Sequence, residues 1–139
     1  MPVIDLPEAG LFYEEAGSGP PLVLVPGFAS GAWSWAWQMP QLTRGFRIIA
    51  FDPRGVSRSS IGEGATASIE TIADDLAGLL DHVGLGSANV LGISFGGFVA
   101  QEFALSYPSR VTKLVLASTG FGGPRRPRSP ARTARVRRR

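Results

Sequence analysis

Two periodicities of apolar residues alternate along the chain. Continuous apolar runs at Leu22–Val25, Arg47–Asp52, Asn89–Ser94 and Val111–Thr119 have the length and composition of strands buried on both faces. Between them, Ile72, Leu76, Leu79, Leu80 and Val83 recur at helical spacing and predict a helix over Ser68–Leu85. Ser68 can cap it, Glu70 lies in its first turn, and Gly84 and Gly86 stop it. A second helix is predicted from Phe95 to Ser106, with Val99 and Phe103 apolar and Pro108 as its end; a shorter one, Trp33–Leu42, is interrupted by Pro40. Val3–Leu6 and Leu11–Glu15 read as short strands around a Pro-Glu-Ala-Gly turn. This alternation builds βαβ units, and hence an α/β fold with a mostly parallel sheet of about six strands and helices on both faces. In such sheets chemistry sits at the carboxyl ends of the strands, where Val25, Asp52, Ser94 and Thr119 all fall.

The residues around Ser94 read Gly92-Ile-Ser-Phe-Gly96, a G-x-S-x-G motif with a strand before it and a helix after it. A strand that turns directly into a helix strains the corner residue, and side chains two positions either way would collide, so Gly92 and Gly96 are required by sterics. Ser94 is thereby expected at the tip of a tight elbow with its hydroxyl exposed.

Charge is distributed unevenly along the chain. Residues 1–120 carry six basic and eleven acidic side chains, net −5, whereas residues 121–139 carry eight arginines and no acid. The basic balance therefore belongs to the tail. Residues 1–123 are expected to form the domain, and 124–139, an Arg, Pro, Ala and Ser segment without apolar period, a disordered tail. With no cysteine there is no disulfide or thiolate metal site, and neither a metal nor a cofactor is expected. No apolar run reaches the roughly 20 residues of a membrane span and no basic leader opens the chain, which predicts a cytoplasmic protein without membrane contact.

Four landmarks in register, Pro21–Phe28 (PLVLVPGF), Phe51–Ser59 (FDPRGVSRS), Gly92–Gly97 (GISFGG) and Tyr107–Leu116 (YPSRVTKLVL), make the chain resemble the first half of an α/β-hydrolase, similar to small esterases, lactonases and cofactor-free haloperoxidases. The resemblance implies that Ser94 is the nucleophile toward a carboxylic ester or lactone and that the backbone NH groups of Phe28 and Phe95 form the oxyanion hole. Pro26 stands where the family usually has histidine, and Ser57 where a second glycine is usual; if that position needs positive φ, serine costs about 1 kcal/mol.

The serine needs a base and the base an orienting acid, following it in the order acid, then histidine. No histidine follows Ser94, and the acid that does, Glu102, lies about 12 Å up the departing helix. His82, the single histidine, is placed at the far edge of the sheet as a helix C-terminal residue beside the dipole. Little or no turnover is therefore expected, as for a reading frame lost or cut near Pro124, with Val111–Thr119 left as an uncovered sheet edge. The alternative is a non-catalytic remnant or binding protein whose arginine tail makes weak, non-specific contacts with nucleic acid or another polyanion. The resemblance assigns Asp52 and Arg54 to loop structure. Trp33 and Trp37, one helical turn apart, are expected in the core, with lining of an acyl pocket beside Phe28 as the alternative, which makes Trp33 a candidate pocket residue.

Overall fold

A computed structural model describes residues 2–121; the anticipated 124–139 tail lies outside them. Six strands, β1 (Val3–Leu6), β2 (Ala9–Ala16), β3 (Pro21–Val25), β4 (Arg47–Phe51), β5 (Ala88–Ile93) and β6 (Val111–Ala117), form one sheet in the order β1-β2-β4-β3-β5-β6. The three junctions from β4 to β6 are parallel, with Val23 beside both Ile49 and Val90. The hairpin β1-β2 is added antiparallel at the β4 edge. Three α-helices accompany the strands: α1 (Met39–Leu42), α2 (Ile69–His82) and α3 (Phe95–Ser106).

The period-two alternation of each strand divides the core in two. Val23, Val25, Ile49, Phe51 and Val90 face α2 and α3, which cover them with Leu76, Leu79, Leu80, Val99 and Phe103. Leu22, Leu24, Ile48 and Ala50 face the other way, under Ala32, Trp35, Met39 and Leu42. Each fully buried Leu, Ile or Phe contributes about 1.5–3 kcal/mol. α2 starts where the sequence places it: the Ser68 hydroxyl accepts from the Thr71 amide (3.1 Å) and the Thr71 hydroxyl from the Ser68 amide (2.9 Å), a reciprocal cap. It ends earlier than expected, at His82, because Gly84 takes a left-handed φ of 74°.

The tryptophan segment corrects the sequence reading. Residues Ala32–Trp35 form a 3-10 turn, not the start of a continuous α-helix, so positions three apart share a face and Ala32 and Trp35 point inward. Trp33 and Trp37, expected in the core, are 56% and 90% exposed, whereas Trp35 is 6% exposed.

Asp52 and Arg54 hold loops, as the resemblance implied. Asp52 is fully buried and accepts from the Ala32 amide (2.7 Å), the Arg58 amide (3.1 Å) and Arg58 Nε (2.9 Å). A side chain at Gly31 would collide with the Asp52 carboxylate, so the glycine permits this contact. Burial opposes ionisation of Asp52, but the hydrogen bonds from the Arg58 guanidinium and from the Ala32 and Arg58 amides outweigh it, holding the carboxyl below the ordinary aspartate range. Arg54, also buried, makes a two-pronged pair with Asp75 of α2 (2.7 and 2.6 Å) and donates to the Thr66 carbonyl (3.1 Å). Ser57 does adopt positive φ, 49°. Among the described residues β6 pairs on one side only, and Leu114, Val115 and Leu116 are 37–49% exposed. No helix of the described residues is long and apolar enough to cross a membrane.

Two outcomes test this frame. Arg54→Met leaves Asp75 buried and uncompensated and should cost about 3–5 kcal/mol in urea unfolding at neutral pH. A depressed carboxyl supplies stability that is complete above the ordinary aspartate value and is lost as pH falls through the lower folded value. Stability should therefore drop as pH goes below about 4, and Asp52→Asn, measured over the same pH range by circular dichroism, should show a shallower drop from a lower starting point.

Candidate active site

β5 delivers the chain straight into α3, and Ser94 is the single residue between them. Its backbone sits at φ 53°, ψ −121°, a region that costs a non-glycine residue about 1–3 kcal/mol. Three hydrogen bonds fix it there. The Ser94 amide donates to the Ala117 carbonyl at the end of β6 (3.0 Å), and its own carbonyl accepts from the Gly97 amide (2.9 Å) and the Thr119 hydroxyl (2.8 Å). Ser94 is exposed.

The glycines have the steric role anticipated from sequence. A Cβ at Gly92 would strike the Gly96 carbonyl oxygen and lie 2.8 Å from the Ala100 Cβ; one at Gly96 would strike the carbonyl oxygens of Val25 and Pro26. Gly97 adds a third requirement, since its Cβ would occupy the place of the Thr119 side chain. Thr119 was not singled out from sequence as part of the site; its position at the end of the neighbouring strand was the signal available.

The amides of Phe28 and Phe95 have no acceptor among the described residues. Phe95 opens α3, where the first-turn amides are unpaired and the dipole is positive. Phe28 lies in a tight turn closed by the Ser30 amide on the Gly27 carbonyl (3.1 Å), with Ala29 at φ 54°. The turn forms with Pro26 before it. The two phenylalanine rings meet edge to face at 5.8 Å, which brings the β3 turn and the elbow together.

Beside Ser94 lies a cavity of about 230 Å³ lined by Gly27, Ser30, Ser34, Trp35, Gln38 and Ile93. The tryptophan in its wall is Trp35. Trp33, the sequence candidate for a pocket, is absent from the lining and more than half exposed. The reason is again the 3-10 turn, which rotates residue 35 inward.

Among the described residues, neither His82 nor Glu102 makes a hydrogen bond with Ser94. His82 ends α2, its ring edge-on to Tyr13 at 5.7 Å, and the next carbonyl, of Val83, accepts from Arg47 at the amino end of β4, whereas Ser94 follows the carboxyl end of β5. Glu102 accepts from Ser106 Oγ within α3 (2.9 Å). Among the described residues no group of three or more His, Asp or Glu side chains could hold a metal ion.

Comparison with known proteins gives a consistent picture. Residues 20–138 match a family described as the alpha/beta hydrolase fold. The chain is 36% identical over 121 residues to bifunctional epoxide hydrolase 2 of Sus scrofa, covering 86% of this chain and 22% of that protein. It is 39% identical over 127 residues to the 2-hydroxy-6-oxononadienedioate/2-hydroxy-6-oxononatrienedioate hydrolase of Burkholderia vietnamiensis, covering 88% and 44%. Among solved structures it is similar to a thermophilic esterase from Thermogutta terrifontis, 40% identical with a TM-score of 0.77, covering 88% of this chain and 43% of that one. The chain thus spans less than half the length of these relatives.

The steric reading of the elbow is checked by two alanines. Gly96→Ala must push a methyl group into two backbone carbonyls and should cost at least about 1–3 kcal/mol, whereas Gly86→Ala, with open space around it, should change the denaturant midpoint by less than about 0.5 kcal/mol.

Proposed function

The chain belongs to the α/β-hydrolase fold family, and from that premise we propose that Ser94 is a nucleophile for the carbonyl carbon of a small carboxylic ester or lactone. The observation that carries the reading is the placement of one exposed, strained hydroxyl beside two uncommitted amides and a cavity. Ser94 Oγ attacks the carbonyl carbon, and the developing oxyanion is received by the NH groups of Phe28 and Phe95. The bond to the leaving alcohol then breaks, the alcohol taking up the proton that Ser94 gives up, and water releases the acyl group. Losing one such donor costs about 100- to 1,000-fold in rate.

The chemistry of serine also selects among the activities named for the relatives. An alkoxide that opened an epoxide would leave an ether on the enzyme, which water does not cleave, whereas an acyl ester on serine is cleaved. Ester or lactone hydrolysis is therefore favoured over epoxide opening for an elbow bearing Ser94.

Proton transfer is the step these 139 residues do not serve, since their single histidine is His82. Turnover by this chain alone is low, with the remaining rate supported by binding and the oxyanion site; in serine proteases stripped of the triad that remainder is about 1,000- to 10,000-fold over water.

Chemical rescue tests both halves of the reading. With p-nitrophenyl acetate, added imidazole should restore a saturable rate that Ser94→Ala abolishes and Phe28→Pro, which removes one donor, lowers by about 100-fold or more. A rescued rate unchanged by Ser94→Ala would overturn the nucleophile. Rapid labelling of Ser94 by a fluorophosphonate without imidazole would overturn the low turnover.

A further inference from the structure

The peptide unit between Ser94 and Phe95 is held at one end and open at the other. Its N–H is the uncommitted amide of Phe95, while its oxygen, the Ser94 carbonyl, accepts from the Gly97 amide (2.9 Å) and the Thr119 hydroxyl (2.8 Å). The Gly97 bond belongs to the turn itself. The Thr119 bond arrives from beyond the neighbouring strand, 25 residues along the chain, and the proposed reaction gives it no role.

Local structure delivers that hydroxyl. β6 ends at Ala117, and Ser118 takes a left-handed φ of 49°, which bends the chain out of the line of the strand. Thr119 then lies against Gly97, filling the space a side chain at residue 97 would need. Gln101, one turn further along α3, donates through Nε2 to the Gly97 carbonyl (3.0 Å) and the Gly120 carbonyl (2.8 Å). One side-chain amide thus ties the residue under Thr119 to the residue after it.

Two effects reach the N–H at the other end of the peptide unit. Ser94 is strained at ψ −121°, and turning the unit about that bond toward the left-handed region, ψ roughly +30 to +60°, would relieve the residue and swing the Phe95 N–H off target. The bond to Thr119 opposes the rotation. It also draws electron density toward the carbonyl oxygen, and because the peptide group is conjugated from oxygen to nitrogen, the N–H becomes a stronger donor.

We infer that Thr119 is a positioning residue for the oxyanion: its hydroxyl holds and polarises the Ser94–Phe95 peptide unit, so that the Phe95 N–H is aimed and strengthened where negative charge develops. This rests on the reading of Ser94 as the nucleophile and Phe95 as an oxyanion donor. Thr119 acts through the peptide group and not on the ester. Gln101 supports it by fixing Gly120.

Thr119→Val keeps the shape of the side chain and removes the hydroxyl, whereas Thr119→Ser keeps the hydroxyl and gives up the methyl group. In ¹⁵N–¹H spectra of the full-length protein the Phe95 amide nitrogen, which senses hydrogen bonding to the carbonyl before it, should move upfield in Thr119→Val and hold its place in Thr119→Ser. In the imidazole-rescued hydrolysis of p-nitrophenyl acetate, Thr119→Val should lower kcat about two- to tenfold, the range of one net hydrogen bond, at unchanged KM, and Thr119→Ser should retain the original kcat. Thr119→Ala, read against Thr119→Ser, repeats the comparison without a β-branched side chain should Thr119→Val fail to fold. If Ser94→Ala abolishes the rescued rate but loss of the hydroxyl leaves kcat unchanged, acts through KM alone, or costs no more than loss of the methyl group, the positioning role is overturned and the nucleophile stands. If the rescued rate survives Ser94→Ala, the nucleophile reading fails and the inference about Thr119 with it.

Discussion

The structure depends on a corner with no room in it. Between β5 and α3 the chain reverses over one residue, and the backbone carbonyls of Val25, Pro26 and Gly96 stand where side chains at positions 96 and 92 would be. Those same clashes force the helix against β3 and the strand at once, so that the unpaired first-turn amides of α3 come beside the turn that follows β3. The strain of a serine at φ 53° is held by the hydrogen bonds of its amide and carbonyl to the end of β6 and by the close packing of three glycines. Exposure of the hydroxyl is a geometric result of that packing. Nothing else in the sheet needs residue 94 to face outward.

A second layer of polar contacts fixes the loops that approach the corner. Asp52 ties the end of β4 to the Ala32 amide and to Arg58, and Arg58 in turn lies 3.6 Å over the Phe12 ring and reaches Glu14 at 3.1 Å. Arg54 and Asp75 join the loop after β4 to the face of α2. Through the Ala32 amide, the Asp52 carboxylate sets the 3-10 turn that aims Trp35 at the cavity wall. A carboxylate buried in the loop after β4 thus decides which tryptophan lies beside Ser94.

What the sequence revealed follows from where information is local. The bounds of α3 could be read because both ends are chemically marked, by the glycines of the corner and by Pro108. Ser68 marked the start of α2 in the same way, whereas its end depended on the φ of Gly84, which two nearby glycines left open. The motif around Ser94 carried its own geometry, whereas the positive φ at Ser57 was left open, since only the family's usual glycine there raised the question. The tryptophan segment could not be read as one helix: a spacing of four and a spacing of three fit the same residues, and an aspartate twenty residues away chose between them. Asp75, between Ile72 and Leu76 on the buried face of α2, had to have a partner, yet only the folded chain names Arg54.

The bond from Thr119 to the carbonyl of Ser94 spans 25 residues, and the amide of Ser94 reaches β6 as well. The elbow is thus not a self-sufficient turn that a short peptide would adopt. Closing the loop across α3 carries an entropy cost that the pairing with β6 has to offset. The strained backbone of residue 94 therefore depends on the docking of the sixth strand, and without that strand nothing outside the corner itself would hold φ positive there.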